Sequence, residues 1–202
     1  MYVVFEGIDG SGKTTLATFL FDYLKKKGYN VYLKTEPFNR EFIENTFKKI
    51  ENIKDKELKS IILTLAFAYD RAFLEGETKY SNFDFVIGDR SFISSLAYQS
   101  LNLPLEWIFE VNKFFKKPDL VIYLDLSPEV AIKRIEERNN KKSYYEKIEF
   151  LKKIRKNYKK VINFLKKKKI NVVVINSEQP LNNVKKELSI IIDKRIFTES
   201  KG

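Results

Sequence analysis

The chain has no cysteine and no histidine. The first absence removes disulfides, thiolate nucleophiles and Cys-based metal sites. The second removes the usual acid–base side chain, so a general base has to be a carboxylate, a lysine or a tyrosine, unless the reaction needs none. Long apolar runs are missing too. Val172–Ile175 and Ile190–Ile192 are far too short to cross a bilayer, and the N-terminus has neither the basic segment nor the long apolar stretch of a secretory signal. A cytoplasmic protein without membrane attachment is the expectation. Glycine is scarce, seven in all, yet Gly7, Gly10 and Gly12 crowd into one short segment.

With 202 residues, 44% of them hydrophobic, the chain can build one domain with a sizeable core and is short for two. We read residues 1–202 as a single domain. The 38 Lys and Arg exceed the 27 Asp and Glu, for a net charge of +11. Such an excess fits either nucleic-acid binding or a lysine-solvated surface. The basic residues are scattered along helical stretches such as Lys152–Lys160 and Lys166–Lys169, which favours the second reading and makes a nucleic-acid partner unlikely.

Apolar periodicity divides the chain into alternating elements. Strands are expected at 1–6, 31–34, 83–88, 120–125 and 170–175. Helices are expected at 13–27, over most of 40–76 with a break near 52–55, in two pieces over 92–115, from Pro128, at 147–168 and at 181–196. This alternation predicts an α/β fold, a five-stranded parallel sheet with helices on both faces, and the turn Gly7-x-x-x-x-Gly12-Lys13-Thr14 after the first strand makes it the three-layer P-loop NTPase arrangement. Ligands then sit at the carboxyl ends of the strands.

Gly7-Ile8-Asp9-Gly10-Ser11-Gly12-Lys13-Thr14 matches G-x-x-x-x-G-K-[ST] between the first strand and first helix. Its glycines let backbone N–H groups converge on phosphate oxygens, and the helix N-terminus adds its positive end. Lys13 is expected on the β- and γ-phosphates of ATP, and the Thr14 hydroxyl on Mg²⁺. A guanine-reading Asn-Lys-x-Asp is absent, since Asn140-Lys141-Lys142-Ser143 lacks the Asp, so a signalling GTPase is not expected.

The segment from Phe5 to Thr15 resembles the P-loop of thymidylate kinases. The likeness continues in Phe67-Ala68-Tyr69-Asp70-Arg71, in Asp89 to Gln99, in Pro118 to Asp125 and in Phe150–Tyr158, in the family's order over most of the chain. The resemblance implies phosphoryl transfer from ATP to dTMP, with Mg²⁺ and as a homodimer, for which the apolar helix at 92–101 is a candidate interface. It places ATP on Gly7 to Thr15 with Arg134 and Arg138. It places the acceptor on Asp9 (sugar 3′-hydroxyl), Phe67 (stacked on the base), Arg71, Arg90 (phosphate), Ser95, Tyr98 (against the sugar) and Gln99. Asp89 would help to hold Mg²⁺ through water; without a ligand, Asp89 and Arg90 would form an ion pair. A lid at about 138–146 would close over ATP. Lys142 falls where many relatives carry a catalytic Arg, and reads equally as part of a solvated basic loop. Lys13, Arg90, Asp9 and Lys142 are the candidate catalytic residues.

Two departures stand out. After Glu36-Pro37 this chain has Phe38-Asn39-Arg40 in place of the family's small residues, so Glu36 and Phe38, or Arg40, are candidates to meet the nucleotide. Gly10 stands where some relatives carry a P-loop Arg. Because a monophosphate is already an ionised nucleophile, the lack of histidine is no obstacle. Alternatives remain: an NMP kinase for another base, a deoxynucleoside kinase using Glu36 as base, or a non-catalytic nucleotide- or nucleic-acid-binding protein.

Overall fold

The computed structural model describes residues 1–139 and 144–199. Five strands form one all-parallel sheet: β1 (Tyr2–Glu6), β2 (Val31–Thr35), β3 (Phe85–Asp89), β4 (Leu120–Asp125) and β5 (Val172–Asn176), in the order β2-β3-β1-β4-β5. Between and around them lie α1 (Lys13–Lys26), α2 (Arg40–Ile50), α3 (Lys56–Glu77), α4 (Phe92–Gln99), α5 (Leu105–Val111), α6 (Pro128–Asn139), α7 (Tyr144–Lys167) and α8 (Leu181–Glu199). The expected three-layer architecture is therefore present. No helix among the described residues is long and apolar enough to cross a membrane.

Strand alternation builds two cores. From β1, Val3 and Phe5 face Leu16, Leu20 and Leu24 of α1 and Val184, Leu188 and Ile192 of α8. Tyr2 and Val4 face the opposite side, with Phe92, Leu96, Ile154, Tyr158 and Leu165 of α4 and α7. The central strand β1 thus ends in the P-loop where the chain order switches sides, the position at which such sheets bind ligands.

Element edges moved for local reasons. Asp55 ends the break between α2 and α3 by accepting from the N–H groups of Glu57 (2.9 Å) and Leu58 (3.1 Å), a side-chain N-cap. The third strand begins two residues later than expected, because the Asp84 carboxylate accepts from Asn30 N (2.8 Å) in the turn between α1 and β2. The fifth strand starts at Val172 because Ile170 N closes the end of α7 on Leu165 O (3.0 Å), with Lys169 at φ 59°.

Candidate active site

The P-loop folds back on its own lysine. Lys13, only 6% exposed, donates to Gly7 O (3.0 Å) and Ile8 O (2.8 Å) and lies 3.9 Å from Asp9. Burial, and next the neighbouring Arg90, pull its ammonium down to about 7. An anion entering this loop would add countercharge beside the buried lysine. Gly12 adopts φ 94° as the N-cap of α1, a left-handed turn that aims the helix start into the loop. The Thr14 hydroxyl donates to Asp89 Oδ2 (2.6 Å).

The Asp89–Arg90 ion pair expected without a ligand is not formed. Asp89 is occupied by Thr14, and the Arg90 guanidinium pairs with Asp9 across the P-loop. Arg90 is placed by its backbone: φ is 75°, in the left-handed region, with its N–H on Phe5 O (3.2 Å). For a residue with a Cβ this conformation costs about 1–2 kcal/mol and persists where surrounding structure imposes it.

These groups open on a cleft of about 720 Å³, whose walls include Asp9, Lys13, Thr14, Glu36, Arg40, Asp89 and Arg90. Against it lies a second cavity of about 310 Å³, lined by Phe47, Phe67, Arg71, Ser95, Tyr98 and Gln99 and sharing Asp9, Glu36 and Arg90 with the first. Arg71 is buried and paired: its Nε (2.9 Å) and Nη2 (2.6 Å) donate to Glu36 Oε2, and Nη1 donates to Asn112 Oδ1. A surface salt bridge would leave Arg71 mobile; here a bidentate fork fixes its plane. Gln99 Oε1 is buried with no hydrogen-bond partner among the described residues. An orphaned acceptor in a cavity wall is a position for a ligand N–H. Burial, then the Asp9 carboxylate, push the Tyr98 phenol up to about 12, and Arg90 lies over its ring at 6.0 Å.

Phe38 is not part of either cavity. It is 45% exposed and sits with Phe42, Tyr69 and Phe73 around a separate depression. The Asp70 carboxylate turns it outward by accepting from Phe38 N and Asn39 N, both at 2.7 Å. The same turn leaves Arg40 on the cleft wall, with no ion-pair partner among the described residues. Arg134 donates to Ser177 O (2.8 Å) and Gly10 O (3.4 Å), lining a 220 Å³ cavity behind the P-loop with Thr15, Gln179 and Leu181. Residues 140–143, with Lys142, lie outside the described residues, as do the side chains of 138–146, Arg138 among them; from Tyr144 the chain already belongs to α7.

Some lining residues escaped the sequence reading. Phe47 meets the Phe67 ring edge-on at 6.4 Å, and its helical spacing from Ile43 was the available signal. Asn112 carried none, since only the docking of α5 against α3 brings it to Arg71.

A parallel sheet ending in a P-loop, with a cleft that holds Lys13, Arg40 and Arg90 and joins the loop to a partly aromatic second cavity, defines a P-loop kinase of small phosphorylated acceptors. The family described as thymidylate kinase matches residues 5–188. Its relatives include a probable thymidylate kinase 1 from Saccharolobus solfataricus, 41% identical over 198 residues (96% of this chain, 98% of the relative). A probable thymidylate kinase from Sulfurisphaera tokodaii is 40% identical over 192 residues (95% of each chain), and one from Staphylothermus marinus is 35% identical over 202 residues (97% and 96%). The chain belongs to the thymidylate kinase family.

Proposed function

We propose that the protein transfers the γ-phosphoryl group of ATP to dTMP, giving ADP and dTDP. The observation that carries this reading is the continuity of the Lys13 cleft with the Phe67–Arg71–Gln99 cavity through Asp9 and Arg90. ATP phosphates bind the P-loop and Lys13. The acceptor's base enters the inner cavity, where the unpartnered Gln99 Oε1 takes the pyrimidine N3–H and Phe67 supplies a ring to stack on. The acceptor phosphate lies at Arg90, Asp9 meets the sugar hydroxyl, and Tyr98 bounds the sugar. Arg40 adds a cation to the same cleft, the role that the changed segment after Pro37 left open between it and Phe38.

The nucleophile is the phosphate oxygen, already ionised, so catalysis consists of alignment and charge compensation by Lys13, Arg90 and Arg40. The adjacent Thr14 hydroxyl and Asp89 carboxylate form an all-oxygen pair suited to Mg²⁺, Asp89 through water. A bound Mg²⁺ would neutralise charge between the phosphates. The 138–146 lid, with Arg138 and Lys142, remains a proposal resting on resemblance.

A deoxynucleoside kinase would need a free carboxylate to take a proton from a hydroxyl, and Glu36 was the candidate. Its carboxylate is buried and held by the Arg71 fork, so the phosphorylated acceptor is favoured. We also propose a homodimer, formed not by α4 but through the exposed face of α3.

The test is ADP release with Mg-ATP against dTMP, dUMP, UMP, CMP, AMP, GMP and thymidine. We expect dTMP to turn over fastest and Lys13→Ala to lose on the order of 10²-fold or more in kcat. Turnover with thymidine alone, or a fully active Lys13→Ala, would overturn the reading.

A further inference from the structure

Glu6 is the only charged residue of β1, and it is completely buried. Strand alternation turns its side chain toward the face covered by α4 and α7. A buried carboxylate is costly unless hydrogen bonds compensate it, and an apolar residue would continue the Tyr2–Val4 row without that cost. Glu6 is compensated in full. Ser91 Oγ donates to Oε1 (2.8 Å), and Ser94 Oγ (2.7 Å) and Tyr158 OH (3.0 Å) donate to Oε2. Burial pushes its carboxyl up, and the Ser94 hydroxyl and then the Arg90 charge pull it back.

These partners lead to the active site. Ser94 Oγ also accepts from Arg90 Nη1 (3.3 Å), while Arg90 Nη2 meets Asp9. Ser91 Oγ accepts from Ile93 N (3.2 Å), capping α4. One carboxylate therefore fixes the first turn of α4 and the hydroxyl that supports the Arg90 guanidinium, next to a backbone held at a strained φ. Glu6 itself lines neither the cleft nor the inner cavity.

We propose that Glu6 is a positioning residue: through Ser94 it holds the Arg90 guanidinium in the orientation that receives the acceptor's phosphate, and through Tyr158 it ties that arrangement to α7. The proposal rests on the reading of Arg90 as the holder of that phosphate. A phosphate needs both nitrogens of one guanidinium edge in plane. Losing the support should cost acceptor use while leaving ATP-site binding intact.

The experiment is a double-mutant cycle on purified full-length enzyme. Glu6→Gln keeps the volume but removes the charge and turns one acceptor oxygen into a donor, facing either Ser91 or the Ser94 and Tyr158 hydroxyls. We expect kcat/KM for dTMP to fall about 10–100-fold, with the Kd for ADP within about 2-fold and far-UV CD unchanged. In an Arg90→Ala background, Glu6→Gln should add almost nothing further, because the group it orients is gone. Fully additive losses, an unchanged kcat/KM in Glu6→Gln, or a loss confined to ADP binding would overturn the proposal. If Glu6→Gln does not fold, Ser94→Ala replaces it in the same cycle with the same criteria. An Arg90→Ala enzyme as active as wild type on dTMP would overturn the reading of Arg90 and this proposal together, whereas additivity with an impaired Arg90→Ala overturns this proposal alone.

Discussion

At the scale of single residues, two neighbours divide by direction. Asp70 accepts the N–H groups of Phe38 and Asn39, and Asn39 Oδ1 then caps α2 through Phe42 N (2.9 Å). This turn sends Phe38 to an outer aromatic surface and Arg40 to the cleft. Removing a guanidinium–phosphate contact worth ~1.5–3 kcal/mol should make Arg40→Ala raise the dTMP KM about 10-fold or more, while Phe38→Ala, assayed at high protein concentration, moves it less than about 2-fold. Steady-state kinetics of the two variants checks this, and the reverse ranking would refute the assignment. Gly10 supplies a second case. It has φ 82°, and a Cβ there would stand 2.8 Å from Ala131 O of α6. Backbone cannot yield as a side chain end can, so the family's alternative P-loop Arg has no room at this position. Gly10→Ala should cost at least ~1–2 kcal/mol from the positive φ alone, lowering Tm by several degrees and weakening ATP binding. A melt indistinguishable from wild type would show that α6 moves aside.

Among the elements, α3 rather than α4 carries the exposed apolar face. Phe92, Ile93, Leu96 and Ala97 of α4 are all buried within the chain, so this helix has no apolar face left for a partner. On α3, Leu58, Leu65, Tyr69 and Phe73 are 44–57% exposed at spacings of seven, four and four, one helical face. Phe42 extends the patch, its ring 5.4 Å from Tyr69, which in turn meets Phe73 edge-on at 5.0 Å. We propose this face as the dimer contact, since exposed contiguous apolar patches mark interaction sites. Leu65→Glu with Tyr69→Glu should sediment as a monomer where the wild type is a dimer; a wild-type monomer at micromolar concentration would sink the proposed assembly. A second element contact is polar. Arg155 of α7 donates to Asp125 at the end of β4 through Nε (2.7 Å) and Nη2 (3.0 Å). The Arg155 hydrogen bond holds the Asp125 carboxyl below its usual range. A depressed folded pKa contributes stability above the unfolded value of about 3.9 that is lost as pH falls through the folded one. Because the pair is partly solvated, the difference between wild type and Asp125→Asn should be at most ~1 kcal/mol near pH 7 and shrink as pH falls below the unfolded value of about 3.9. Melts across that range decide it, and a difference that grows toward acid would contradict the assignment.

For the whole molecule, local sequence went far. The glycine spacing, the lysine–threonine pair and the strand before them determined the P-loop, because phosphate binding by backbone N–H groups is a short-range geometry. Short continuous apolar runs alternating with helical apolar patterns determined five strands and their parallel pairing, because strands covered on both faces read as unbroken apolar runs. The long-range partnerships came only with the tertiary structure. Asp9 and Arg90 are 81 positions apart, Arg71 and Asn112 are 41, and Glu6 and Tyr158 are 152; no local pattern announces which charge a folded chain will bring to which. Nor could local pattern say that Phe38 faces out, Arg40 faces in, and α4 spends its apolar surface inside the chain. Those outcomes depend on how helices dock on the sheet, and packing is settled by the sum of contacts across the molecule rather than by any one segment.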